Sequence, residues 1–168
     1  ALREAVNYLK EDKIDAIVTA PINKKNIQRD DFHFVGHTDF IAEELGAKDS
    51  LMLMVTNELR VGVVTAHIPL KDVSDALTKE ALESKLKIFI KTIKNDFGIT
   101  KPKIAIMGLN PHSGEDGLLG KEEIEVIEPV VKEFKDKGHL VPERFRRTRG
   151  ALRVSYGSPG CARRCSDP

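Results

Sequence analysis

Cysteine is nearly missing from this chain. There are two in 168 residues, Cys161 and Cys165, and both fall in the last eight positions. A disulfide scaffold or a cysteine-built metal cluster is thereby excluded from the body of the chain, and two thiols alone make no convincing site in the tail. Long apolar runs are missing too: no stretch approaches the roughly 20 residues that cross a bilayer. The opening Ala1-Leu2-Arg3-Glu4-Ala5-Val6 lacks a secretory pattern, so a cytoplasmic location is the default expectation. No internal repeat and no low-complexity linker precede residue 142. The chain opens without Met inside a helical pattern, which predicts that it begins within a longer protein.

The rest of the composition is that of one globular domain, with 40% hydrophobic and 32% charged residues and enough length for a core. The net charge of +1 conceals two regimes. Residues 1–141 hold 17 Lys and three Arg against 24 acids, a balance of −4. Residues 142–168 hold seven Arg, no Lys and two acids, a balance of +5. An Arg-rich end can serve as a nucleic-acid arm. This one begins abruptly and lacks periodicity, which favours a frameshift or chimeric junction and predicts a disordered tail that does not bind nucleic acid.

The body alternates helical and extended patterns. Leu2, Ala5, Val6 and Leu9 share one helical face over 2–11. Residues 14–20 read as a short buried strand stopped by Pro21, and Thr38 as the cap of a helix over 39–46. Residues 51–56 and 60–66 read as two strands joined by Asn57-Glu58, an antiparallel hairpin that would make the sheet mixed. Leu82, Leu86, Ile90 and Ile93 mark a strong helix over 79–97, with Gly98 as its stop. A strand over 103–107 and a helix over 122–137, kinked or split by Pro129, complete an α/β pattern with three-layer packing expected.

The chemistry-bearing residues gather where strands end, the usual place for α/β sites. Strand 14–20 leads to Asn23-Lys24-Lys25, strand 60–66 to His67, and strand 103–107 to Asn110-Pro111-His112-Ser113-Gly114-Glu115. His37-Thr38 stands at a loop–helix boundary. Neutral imidazole ligates borderline divalent ions, and catalytic sites often pair three protein ligands with an open position. His67 and His112 are 45 positions apart, so only their like placement after strands links them. Loop capping, or a hydrogen bond to a backbone carbonyl, accounts for that placement more simply. His37 and Thr38 suit a phosphate or carboxylate at a helix start, or plain N-capping. Lys24 suits an anion or plain solvation. The Gly114–Gly120 stretch departs from G-x-G-x-x-G, and Ser113 has no G-x-S-x-G elbow, so neither a Rossmann loop nor a serine hydrolase is indicated.

Five segments taken together carry more. Thr-Ala-Pro-Ile-Asn-Lys (19–24), Gly-His-Thr-Asp (36–39), Glu-Leu-Arg-Val (58–61), Thr-Ala-His-Ile-Pro-Leu-Lys-Asp-Val (65–73) and Gly-Leu-Asn-Pro-His-Ser-Gly-Glu (108–115) occur in one order. With Gly120 and Glu122-Glu123-Ile124 behind them, they resemble the 4-hydroxythreonine-4-phosphate dehydrogenases of pyridoxal phosphate biosynthesis, over about residues 1–141. The resemblance implies a fold similar to isocitrate and isopropylmalate dehydrogenases, two α/β domains around a cleft, and a homodimer. It implies NAD-dependent oxidation of 4-phosphohydroxy-L-threonine, then decarboxylation to an amino-ketone phosphate. It implies a divalent cation (Zn²⁺, Mg²⁺, Mn²⁺ or Co²⁺) held by His67 and His112, and a substrate held by His37, Thr38, Lys24 and Asn110. Such an ion stabilises negative charge on the reacting alcohol oxygen.

The departures are large. Family members are much longer, with a preceding segment and a later Tyr-His-Asp-Gln-Gly stretch whose histidine completes the metal site from the partner subunit. The chain as it stands is therefore expected to be an incomplete, inactive central part. Two other readings remain open at this point: a dehydrogenase of phosphorylated four-carbon acids such as 4-phosphothreonate or 4-phosphoerythronate, and a non-catalytic fragment with a basic tail.

Overall fold

A computed structural model describes residues 1–23, 34, 36–139 and 152–155, the last four by backbone alone. The chain divides into two units, Ala1–Ser50 and Leu51–Pro168.

In the first unit, α1 (Leu2–Lys10) buries Val6 from its predicted apolar face. Helix α2 (His37–Glu44) buries Phe40, which meets Phe34 edge-on with ring centroids 5.2 Å apart. Arg3 ties the two helices together: its guanidinium lies 5.8 Å from the Phe40 ring centroid and its Nε 3.3 Å from Glu44 Oε1. Two expectations fail here. Residues 14–20 are not a strand, and Val18 is 98% exposed. No strand partner exists among the described residues of this unit, and extended chain without a partner has no ladder to stabilise it. The cap of α2 is Gly36, not Thr38, because a cap needs extended backbone, which Gly36 adopts while Thr38 is already in the first turn.

The second unit begins with the predicted hairpin. Strands β1 (Leu53–Val55) and β2 (Leu59–Gly62) pair antiparallel, and Thr56 Oγ1 closes the turn by accepting from the Leu59 amide at 3.0 Å. A 3₁₀ turn (Leu70–Asp72) and the short α3 (Val73–Ala76) lead to α4 (Lys79–Asn95). Thr78 caps α4 by accepting from the Ala81 amide at 3.1 Å, and Gly98, at φ +67°, carries the chain away in the left-handed region that glycine tolerates. After β3 (Ile104–Ile106), a π-helical turn (Glu123–Ile127) runs into α5 (Glu128–Asp136). Pro129 stands in the first turn of α5, and the helix expected over 122–137 is continuous there, changing from π to α geometry without the predicted split.

The sheet order is β1-β2-β4-β3, where β4 is Leu152–Ser155. This corrects one expectation. Every neighbouring pair is antiparallel, so the described sheet is not mixed: β2 and β3 run parallel to each other, but β4 lies between them. Four residues of the tail supply that middle strand, since an extended backbone satisfies both neighbours whatever its charge, and the other residues from 142 on lie outside the described residues.

The core lies on one face of this sheet. Leu53, Gly62 and Ile106 share that face by register, and α4 presents Leu82, Leu86, Phe89, Ile90 and Ile93 to it, with Ile127, Val130 and Phe134 beyond. Gly62 is what allows the close approach, because a Cβ there would stand 3.3 Å from the Phe89 ring. Among the described residues no helix is long and apolar enough to cross a membrane. Phe89, with 0% exposure, should carry a large share of the stability. Phe89→Ala is expected to cost about 3–5 kcal/mol in urea unfolding; a loss below about 1 kcal/mol would contradict this packing.

Candidate functional site

The sheet brings two of the predicted loops to one edge. Gly62, the last residue of β2, and Ile106, the last of β3, both stand opposite Leu152 of β4. Both strands therefore end level, two interstrand spacings or roughly 9–10 Å apart. His67 follows five residues after Gly62, and His112 six after Ile106, so both imidazoles belong to loops leaving the same side of the sheet. Both are exposed. His67 holds φ +58°, a left-handed conformation uncommon outside glycine. The loops are also joined directly: the Ser74 hydroxyl donates to Glu122 Oε1. That bond, more than anything else, holds the Glu122 carboxyl below its ordinary value.

The loop after β3 is built around Asn110. Its side-chain Oδ1 accepts from the His112 amide at 2.8 Å, its Nδ2 donates to the Leu119 carbonyl at 2.9 Å, and its own carbonyl accepts from the Ser113 amide at 2.9 Å. A left-handed turn follows, with positive φ at Ser113 (51°), Gly114 (73°), Glu115 (44°), Asp116 (55°) and Gly117 (97°). Each non-glycine residue in it costs roughly 1–2 kcal/mol, so surrounding contacts must hold it. One outcome is that Glu115 Oε1 comes to 3.3 Å from His112 Nδ1. A carboxylate on one ring nitrogen fixes the tautomer and leaves Nε2 as a lone-pair donor, the usual support of a metal-ligating histidine.

Of the other predicted residues, His37 and Thr38 lie in the first turn of α2, His37 partly buried and Thr38 exposed. The first backbone bond of that helix runs from Phe40 N to Gly36 O, so the amides before it have no helical partner and favour an anion. Lys24 lies outside the described residues. His139 is accounted for by its contact with Phe134, at a ring separation of 5.6 Å. Among the described residues no three His, Cys, Asp or Glu gather to hold a metal. The donor chemistry of His67 and His112 suits a borderline divalent ion as two of its ligands, with a further ligand supplied from elsewhere.

Sequence reasoning gave no role to the residues that shape this loop: Glu115, Ser74 with Glu122, and above all Glu123. A signal for Glu123 was present. It precedes Ile127 by four, Val130 by seven and Phe134 by eleven, all buried, so an acid occupies the apolar stripe of a helix.

The description "Pyridoxal phosphate biosynthetic protein PdxA" belongs to the family model that matches residues 1–145. The chain is a member of the PdxA family. It is 50% identical over 139 residues to a 4-hydroxythreonine-4-phosphate dehydrogenase of Bacteroides thetaiotaomicron, covering 82% of this chain and 38% of that protein. Its fold is similar to the crystal structure of a 4-hydroxythreonine-4-phosphate dehydrogenase from Klebsiella pneumoniae, with a TM-score of 0.74 and 33% identity over 84% of this chain and 42% of the other. It is also similar to a terephthalate 1,2-cis-dihydrodiol dehydrogenase from Burkholderia xenovorans, with a TM-score of 0.65 and 26% identity over 87% of this chain and 46% of the other. The chain thus spans about two fifths of the length of the PdxA relatives it matches.

The Ser74–Glu122 tie makes a pH prediction. A carboxyl whose folded value lies below its unfolded value stabilises the fold above the ordinary 4.5, and that contribution is lost as pH falls through the depressed folded value. In Ser74→Ala the Glu122 carboxyl should titrate at higher pH, followed by its side-chain NMR shift. An unmoved midpoint would show that the hydroxyl does not hold it.

Proposed function

We propose that this chain is the central part of a cytoplasmic, NAD-linked, metal-dependent dehydrogenase that oxidises and decarboxylates 4-phosphohydroxy-L-threonine in vitamin B6 biosynthesis. The two-domain, three-layer frame akin to isocitrate dehydrogenase and the homodimer belong to this same reading. One observation carries it most: β2 and β3 end level on Leu152, in a PdxA-family chain, so that His67 and His112 issue from one edge of the sheet.

His67 and His112 are the residues that would hold the cation. When bound, it supplies Lewis-acid stabilisation of the charge developing on the substrate's alcohol oxygen. Two nitrogen donors lean toward Zn²⁺, Mn²⁺ or Co²⁺ rather than an all-oxygen Mg²⁺ site. Glu115 orients the His112 ring, and Asn110 holds the loop while its partly buried amide stands beside the substrate. His37 and Thr38, with the first-turn amides of α2 that have no helical partner, take an anionic end of the substrate, and Lys24 is the further cation of this reading. The 168-residue chain alone, which contributes two metal histidines, is expected to be inactive.

A competing reading within the enzymes has the alcohol belong to a different acid such as 4-phosphothreonate or 4-phosphoerythronate; the likeness to a dihydrodiol dehydrogenase supports only that a chain of similar fold serves another substrate. Turnover of the three substrates by the parent protein, compared by kcat/KM, separates them. With the preferred substrate, His67→Ala and His112→Ala in the parent should each lower NADH formation by more than the roughly 10- to 100-fold that loss of an outer-shell partner costs. NAD reduction by either variant at the wild-type rate would refute the assignment, and so would NAD reduction by the 168-residue chain the claim of inactivity.

A further inference from the structure

Glu123 stands in the Glu122-Glu123-Ile124 segment without an assigned role, yet the loop that carries Asn110 and His112 is folded against it. It is 5% exposed. Its Oε1 accepts the Asn110 amide at 2.8 Å. Two glycines make room for the carboxylate: a Cβ at Gly108 would stand 3.1 Å from Oε1, and one at Gly114 3.3 Å from Oε2. Asn110 then passes the restraint on, because its Oδ1 accepts the His112 amide and its carbonyl accepts the Ser113 amide. Oε2 has no hydrogen-bond partner among the described residues, so the carboxylate is buried without full compensation. A buried acid of that kind is costly to keep unless its position does something.

We infer that Glu123 is a positioning residue: its buried carboxylate anchors the Asn110 amide, and through Asn110 it sets where the His112 ring stands relative to the edge shared with His67. The inference deepens the proposed metal site and rests on it. Glu123 touches neither substrate nor cation in this role. It acts through one backbone bond, one asparagine and the left-handed turn after it.

Two measurements on the full 168-residue chain test this. The first is hydrogen exchange without metal. Glu123→Ala should speed exchange at Asn110, His112 and Ser113 at least about tenfold, while amides of α4 such as Leu86 and Phe89 keep their protection and report an intact core. Glu123→Gln keeps an oxygen for the Asn110 amide and should restore protection. Unchanged exchange at those three amides in Glu123→Ala overturns the inference. The second is titration with Co²⁺, read by its visible absorption. Glu123→Ala should weaken Co²⁺ binding roughly 10- to 100-fold, and this loss should vanish in a His112→Ala background. Co²⁺ binding that requires His112 but ignores Glu123→Ala also overturns the inference. Co²⁺ binding that is the same in wild type and His112→Ala sinks the metal-site reading instead, whereas no binding by either, in a chain without the further ligand, leaves the decision to the exchange result. The exchange result then decides the anchoring of the loop by itself.

Discussion

Gly62 and Ile106 face the same residue of β4, and the placement of the chemistry depends on that shared register. Strands two positions apart in a sheet have no direct hydrogen bonds with which to agree on where to stop. Here the antiparallel ladder on each side of β4 does it for them. A one-residue slip in either ladder would turn the core face of that strand outward and move its loop along the edge. The Phe89 ring against Gly62 resists such a slip, because any other residue at that position would bring a Cβ to 3.3 Å from the ring, a tighter contact than core packing usually holds. Packing on one face of the sheet therefore protects geometry at its end.

Beyond the strands, each loop has its own means of keeping shape. The segment after β2 turns sharply at His67 and is tied by Ser74 to Glu122. The segment after β3 winds left-handed through residues 113–117, with Asn110 and Glu123 holding its start. Both contain backbone that would relax if left unsupported, which is the usual condition of loops that must present a side chain in one orientation. Neither loop contributes much apolar burial. Their order comes from polar contacts, and these are stronger where water is excluded, as it is around Glu123.

The helices and the hairpin were legible in the sequence because they obey a period. Leu82, Leu86, Ile90 and Ile93 repeat with the helical turn, and the pair of apolar runs around Asn57-Glu58 has a turn between them. Residues 14–20 misled because an apolar run encodes burial and not a partner; Val18 shows that a strand-like segment stays unpaired when its unit offers no ladder. Thr38 misled by two residues, since cap preference does not say which of two nearby residues takes the extended backbone. The histidines could be nominated from their neighbours, but their common edge depends on strand order, which no local pattern contains. Glu123 was readable as an anomaly, an acid in an apolar stripe, yet its meaning lay in two glycines 9 and 15 positions before it.

The middle strand has one further implication. The family match stops at residue 145, and β4 begins at residue 152, so the strand that joins β2 to β3 comes from sequence unlike the rest. What the gap between those two strands selects is a main chain with alternate N–H and C=O groups facing left and right, at the correct reach. Such a slot is nearly blind to side-chain identity. The occupant must still keep Leu152 opposite both Gly62 and Ile106, so what the tail contributes to the edge where His67 and His112 emerge is its register.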